Sequence, residues 1–369
     1  MTKLAAPFAP DWVSPPGDTI LDIIEERGWT QAELAARLGY SPKHVNQLIK
    51  GKVSLSEDAA IRLESVLGGT IGFWLAREAK YRERCARLEA AEKHASWTSW
   101  INELPVKELM ATGVISKRRI DVKSKPGLVE DCLRFFGVAS PDEWRGHYGE
   151  MQYSFRRSRE EQSDIGAISA WLRMGEQQAE KLDGPVYDRD RFQAALVEIR
   201  QLTVTPPEEF EPRVRKLFHQ AGVAFVLVPS IPRSHVSGVA RWLNPHRPMI
   251  QLSLYGKTND KFWFTLFHET AHILLHAKEK KAVYLDDPTK ANSDNPEERE
   301  ANTWAGDFLI PPSFKDELPG LKTKAAVREF ANHIGIHPGI VVGRLQHDGL
   351  IEPSWMNDLK QSFQIVVTQ

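Results

Sequence analysis

The stretch that decides the C-terminal fold runs from Asn259 to Lys278 and reads NDKFWFTLFHETAHILLHAK. It contains His268, Glu269 and His272 in the order H-E-x-x-H. Residues four apart share one face of a helix, so both imidazoles can bind one metal ion while Glu269 lies toward its open coordination position. Apolar residues surround the motif at helical spacing, which predicts a buried helix. The alternative is an ordinary core helix whose two histidines are satisfied by hydrogen bonds.

A downstream segment offers the third protein ligand that a catalytic zinc site needs. Residues 295–312 read NPEEREANTWAGDFLIPP, with Pro296 at the start among acidic residues and Pro311 at the end. This pattern predicts a second helix. Glu300 lies on it, and we predict that Glu300 completes a His–His–Glu site.

The two segments together resemble the ImmA/IrrE metallopeptidase family, whose pattern is H-E-x-x-H followed by E-A-N-x-F-A and a hydrophobic run ending in proline. The resemblance implies a zincin-like fold, binding of Zn²⁺ by His268, His272 and Glu300, and a general-base role for Glu269. Trp304 stands where the family usually has phenylalanine, a conservative aromatic change. The resemblance covers roughly residues 210–350.

Near the N-terminus a second pattern predicts two short helices joined by a tight turn. Thr30, with Glu33 three residues later, is typical of a capping box at a helix start. Gly39 provides the turn, and Pro42 begins a second helix that reaches Lys50. This is a helix-turn-helix pattern.

The segment from about Asp18 to Leu75 resembles the Cro/repressor-type helix-turn-helix family, in particular its HigA-like antitoxin branch. The resemblance implies binding to double-stranded operator DNA and a homodimer that contacts two half-sites. By position, we predict that base edges are contacted by Pro42, Lys43, His44 and Gln47, and the DNA backbone by Gln31, Asn46, Lys50 and Lys52. The alternatives are solvated polar faces, or a helix-turn-helix that serves only dimerisation.

Between and beyond these motifs the sequence predicts a mainly α protein with a small β-sheet, an α+β arrangement, in its C-terminal half. A β-branched run at residues 222–232 predicts a strand, and residues 235–243 and 248–255 predict two further strands, all beside the zinc helix. An exposed edge of that sheet is predicted to hold an extended peptide. The predicted parts are a flexible leader (1–17), a helix-turn-helix domain (18–80), a helical middle domain (81–205), the peptidase domain (206–352) and a tail (353–369).

The composition of the chain also indicates the compartment in which we expect the protein. The net charge of −1 gives no overall nucleic-acid signature, so any basic surface is local. Cys85 and Cys132 are the only cysteines, which favours a reducing environment. We find no signal-peptide core or membrane span and expect a cytoplasmic protein without membrane contact.

Two functional hypotheses follow. The first is a DNA-binding regulator of the antitoxin or repressor type, fused to a zinc endopeptidase that cleaves a repressor, a partner or the chain itself and so relieves repression. The second is a non-enzymatic antitoxin-type repressor whose C-terminal half binds a toxin or effector. Glu269 favours the first, since a purely structural metal site needs no general base.

Overall fold

The computed structural model describes residues 14–156, 164–254, 256–276, 284–286 and 295–364. The chain divides into two compact units, Met1–Thr98 and Ser99–Gln369. As predicted, the protein is mainly helical, with one small sheet in its C-terminal half. Within the described ranges, no helix is both long and apolar enough to cross a bilayer.

The N-terminal unit is a bundle of helices around a single apolar core. Its helices are α1 (Pro16–Glu26), α2 (Gln31–Leu38), α3 (Pro42–Ile49), α4 (Glu57–Leu67) and α5 (Ile71–Ser96). Thr30 caps α2 by accepting a hydrogen bond from the backbone N–H of Glu33, and Gly39 ends α2 in the left-handed conformation. Pro42 starts α3, where Ser41 is the cap. The predicted pair of helices is therefore confirmed.

The C-terminal unit begins with helices. These are α6 (Val106–Ala111), α7 (Lys125–Phe136), α8 (Pro141–Arg156), α9 (Ile165–Glu180), α10 (Arg189–Gln201) and α11 (Pro207–Gln220). Trp100, Trp144 and Trp171 are core residues of this region. Trp100 and Trp144 are buried and meet edge to face at 5.7 Å between ring centroids.

A four-stranded mixed sheet follows, in the order β1-β3-β2-β4. Its strands are β1 (Ala224–Leu227), β2 (Gly238–Asn244), β3 (Arg247–Leu252) and β4 (Tyr284–Asp286). β1 runs parallel to β3, whereas β2 is antiparallel to both β3 and β4. The first three strands match the predicted runs, and β4 was not anticipated.

The remaining helices pack beside this sheet. They are α12 (Asn259–Leu275), α13 (Pro296–Leu309), α14 (Lys324–Ile334) and α15 (Pro338–His347). One apolar core unites α10 and α11 with the sheet and with all four of these helices.

The domain boundaries differ from those that the sequence suggested. Position 80 falls inside α5, which continues to Ser96. The helices from α6 onward belong to the same unit as the sheet. Trp171 of α9 donates its indole N–H to the backbone carbonyl of Val228. The side-chain amide of Gln251, on β3, donates to the backbone carbonyl of Trp171. These two hydrogen bonds hold α9 against the sheet, because without them the buried N–H groups of Trp171 and Gln251 would lack acceptors.

The segment after α15, predicted to be a tail, is part of the fold up to residue 364. The backbone N–H of Asn259, at the start of α12, donates to the carbonyl of Gln361 at 2.8 Å. The backbone N–H of Phe363 donates to the carbonyl of Lys257, and its ring packs on Phe262. This C-terminal strap (residues 357–363) thus satisfies the first backbone donor of α12, where the N-cap residue Thr258 makes no side-chain bond.

Candidate functional site

Helix α12 carries the H-E-x-x-H motif in a fully buried stretch. His268, Glu269 and His272 are each no more than 1% exposed. The Nε2 atoms of His268 and His272 lie 3.0 Å apart, since residues four apart stack on one face. The motif therefore places two imidazole donors around a single point.

The third group at that point is the carboxylate of Glu298, on α13. One of its oxygens lies 3.2 Å from Nε2 of His268, and the other lies 3.5 Å from Nε2 of His272. These three residues form the one cluster of metal-ligating groups found within the described ranges. Tetrahedral ligands at zinc distances lie about 3.3 Å from one another, so this His–His–Glu donor set fits zinc.

Glu300 does not lie where the sequence analysis predicted. Its side chain is 61% exposed, and its Oε2 lies 3.2 Å from Nε2 of His276. Two residues along a helix correspond to about 200°, so Glu298 and Glu300 cannot face the same neighbour. The buried face of α13 is formed by residues at helical spacing, Ala301, Ala305 and Leu309. Three residues before Ala301, the same face includes Glu298.

The carboxylate of Glu269 lies against strand β2. A Cβ atom at Gly238 would fall 2.6 Å from Oε1 of Glu269 and 2.7 Å from Cγ2 of Thr265. Gly238 pairs with Leu252 of β3 and Asp286 of β4, so it is fixed within the sheet. The space that Glu269 occupies exists because residue 238 has no side chain. No motif in the sequence marks Gly238.

The electrostatics of the pair of histidines suit metal binding. Burial, and then the neighbouring His268 and His276, lower the pKa of His272 well below its ordinary value. A neutral imidazole is the form that binds a metal, so no proton has to be displaced from His272 at neutral pH.

The helix-turn-helix residues lie on two helices of the N-terminal unit. Pro42 and Lys43 are exposed at the start of α3, and His44 is half-buried with its ring edge-on to Tyr40 at 4.7 Å. Gln47 is half-buried, whereas Lys50 and Lys52 are exposed beyond the helix.

Two of the predicted DNA-backbone contacts also bond to each other. Asn46 donates from Nδ2 to Oε1 of Gln31 at 3.2 Å. The bond links α3 to the first residue of α2, and so helps to set the angle between the two helices of the motif.

Comparison with known proteins agrees with both units. Residues 20–74 match the helix-turn-helix family model, and residues 228–346 match the family model of the IrrE N-terminal-like domain. The comparison with curated proteins gave no match. The HigA-like branch stays a prediction. The chain therefore joins an XRE-type helix-turn-helix domain, which implies a DNA-binding regulator, to an IrrE/ImmA-like domain of the metallopeptidase kind.

Proposed function

We propose that the protein is a DNA-binding transcriptional regulator whose C-terminal domain is a zinc-dependent endopeptidase. Its substrate is a repressor, a partner or the chain itself, and cleavage relieves repression. One observation carries the enzymatic half: the cluster of His268, His272 and Glu298, with Glu269 beside it on α12. The helix-turn-helix family match supports the regulatory half.

Each residue of the cluster has a distinct task in this proposal. His268, His272 and Glu298 hold the metal. Bound zinc would polarise the peptide carbonyl and lower the pKa of a water molecule. Glu269 would act as general base toward the attacking water and then as general acid, so that the proton removed from the water ends on the leaving amine. The close packing of Glu269 on Gly238 fixes the position of its carboxylate for both transfers.

The substrate backbone is proposed to extend the sheet at its edge near Gly238. β4 pairs with β2 from Gly238 to Ala240, so the edge on this side belongs to β4. An extended peptide bound by main-chain hydrogen bonds at such an edge needs little sequence specificity. This fits a protease that recognises a segment of a repressor or of its own chain.

The first experiment measures zinc by elemental analysis in the full chain and in Glu298→Ala, and compares both with Glu300→Ala, the variant at the ligand that the sequence predicts. We expect about one zinc per chain in the wild type, loss of zinc in Glu298→Ala, and retention in Glu300→Ala. Retention by Glu298→Ala together with loss in Glu300→Ala would restore Glu300 as the ligand. Absence of zinc from the wild type, in a chain that still binds DNA, would favour the non-enzymatic repressor instead.

The second experiment separates metal binding from hydrolysis. Fluorescein-labelled casein and the full chain itself serve as substrates, and products are identified by mass spectrometry. Glu269→Gln should keep its zinc and lose cleavage, because the amide cannot accept the proton from water. Cleavage at the wild-type rate in this variant would show that the proposed mechanism is wrong.

A further inference from the structure

A chain of hydrogen-bonding groups leads away from the proposed metal position toward solvent. Nδ1 of His272 lies 3.0 Å from Nδ1 of His276, one helical turn further along α12. Nε2 of His276 lies 3.2 Å from Oε2 of Glu300 on α13. The side chain of His276 is 6% exposed, whereas that of Glu300 is 61% exposed. The three groups form a His272–His276–Glu300 chain.

The direction of each hydrogen bond follows from the metal site. His272 faces His268 and Glu298 through Nε2. If Nε2 binds the metal, the proton of the neutral ring sits on Nδ1, which then donates to Nδ1 of His276. His276 accepts at Nδ1, so its own proton sits on Nε2 and is donated to the carboxylate of Glu300.

His276 is not placed to bind the same ion. It contacts the Nδ1 side of His272, and the two nitrogens of an imidazole point in opposite directions. The structural alternative is that His276 only ends α12, where its backbone N–H donates to the carbonyl of His272. That bond uses no side-chain atom, so a residue lacking the imidazole would preserve it. The two roles therefore predict different results for a substitution.

We propose that His276 and Glu300 are positioning residues that fix the ring and tautomer of His272 for metal binding. This inference rests on the proposed function. A ligand histidine whose other nitrogen is bonded to an acceptor is more basic and better oriented, and loss of such a partner weakens metal binding by about 10–100-fold. Glu300 thus has a part in the site although it is not a ligand.

The test compares zinc affinities of full-length variants by competition with a chromophoric chelator. His276→Leu keeps the bulk of the side chain and removes the acceptor, so we expect a dissociation constant about 10–100 times larger. His276→Asn should restore most of the affinity, because its Oδ1 stands where Nδ1 stood. Glu300→Gln should have a smaller effect than His276→Leu, since the carboxylate is mostly in water. His333→Leu, on the exposed face of α14, is the control and should bind zinc as the wild type does.

A second measurement follows the proton itself. In the zinc-loaded wild type, ¹⁵N-edited NMR should show a slowly exchanging Nδ1–H on His272, and this signal should exchange faster in His276→Leu. Wild-type affinity and an unchanged signal in His276→Leu would overturn the positioning role while leaving the peptidase proposal intact. Absence of zinc from the wild type would overturn both. Circular dichroism of each variant identifies any general unfolding.

Discussion

The substitution Gly238→Ala tests directly whether Glu269 acts from the position that the structure shows. The new Cβ would lie 2.6 Å from Oε1 of Glu269, and Cβ atoms essentially never come within 3.0 Å of another heavy atom. The carboxylate therefore has to retreat by at least about 0.4 Å, close to the tolerance of about 0.5 Å for a catalytic group. The new Cβ would also lie 2.7 Å from Cγ2 of Thr265, one turn earlier on α12, so this side chain has to move as well.

We expect kcat/KM for labelled casein to fall by about 10–100-fold, because misplacing a reacting group by about 1 Å costs on the order of 100-fold. Zinc content should stay at the wild-type level, since the three atoms nearest the added methyl group belong to Glu269 and Thr265, not to His268, His272 or Glu298. The overcrowding should also lower the free energy of unfolding by about 1–3 kcal/mol.

The control is Gly146→Ala, at an exposed helical position where an added Cβ meets nothing within 4 Å. It should leave both activity and zinc content unchanged. Full activity in Gly238→Ala would refute the reasoning, because the base would then be working from another position. Loss of zinc together with activity would mean that α12 itself moves, rather than the Glu269 side chain alone.

Three further predictions concern stability, pH and DNA. Lys360 and Asp260 form a buried ion pair at 2.6 Å, with side chains that are 11% and 8% exposed. Lys360→Met leaves the Asp260 carboxylate buried without this partner, so the free energy of unfolding measured in urea should fall by about 3–5 kcal/mol. Adding Asp260→Asn should recover part of that loss. Burial lowers the pKa of His337, whose Nδ1 accepts a hydrogen bond from the backbone N–H of Gly339. In the unfolded chain the imidazole binds a proton at its ordinary pKa of 6.5, whereas in the folded chain it stays neutral to lower pH. The free energy of unfolding should therefore fall below about pH 6.5, by at most about 1.4 kcal/mol per pH unit. His337→Asn, which keeps an acceptor for Gly339, should show a flatter dependence of unfolding free energy on pH, and an unchanged slope would contradict this cause. Lys50→Gln should reduce the salt slope of duplex binding by about 1 in a fluorescence anisotropy titration, and an unchanged slope would place Lys50 off the DNA backbone.

The features predicted correctly from sequence are those specified locally. The capping by Thr30 and the glycine turn at Gly39 involve residues only a few positions apart, so the helix-turn-helix could be identified without knowledge of the rest of the fold. The same holds for His268 and His272, which are brought together by the pitch of one helix.

The errors concern relations between distant segments. Choosing between Glu298 and Glu300 required knowing which face of α13 meets α12, and the motif alone carries no such information. The stripe of Ala301, Ala305 and Leu309 does carry it, because these buried residues mark the face of α13 that also includes Glu298. The union of α9 with the sheet depends on Gln251 bonding to the carbonyl of Trp171, a contact across 80 residues that no local pattern predicts.

The C-terminal strap also has a consequence for the order in which the protein matures. Asn259, at the head of α12, is bonded to Gln361, 102 residues later in the chain. Domains generally fold as units, the N-terminal one first during synthesis. Once the first hundred residues have left the ribosome, the helix-turn-helix domain is complete. The backbone partner of Asn259 in α12, Gln361, is made more than two hundred residues later. We expect DNA binding to precede peptidase competence in every newly made molecule, and nascent chains arrested before residue 357 to bind duplex DNA without binding zinc at full affinity.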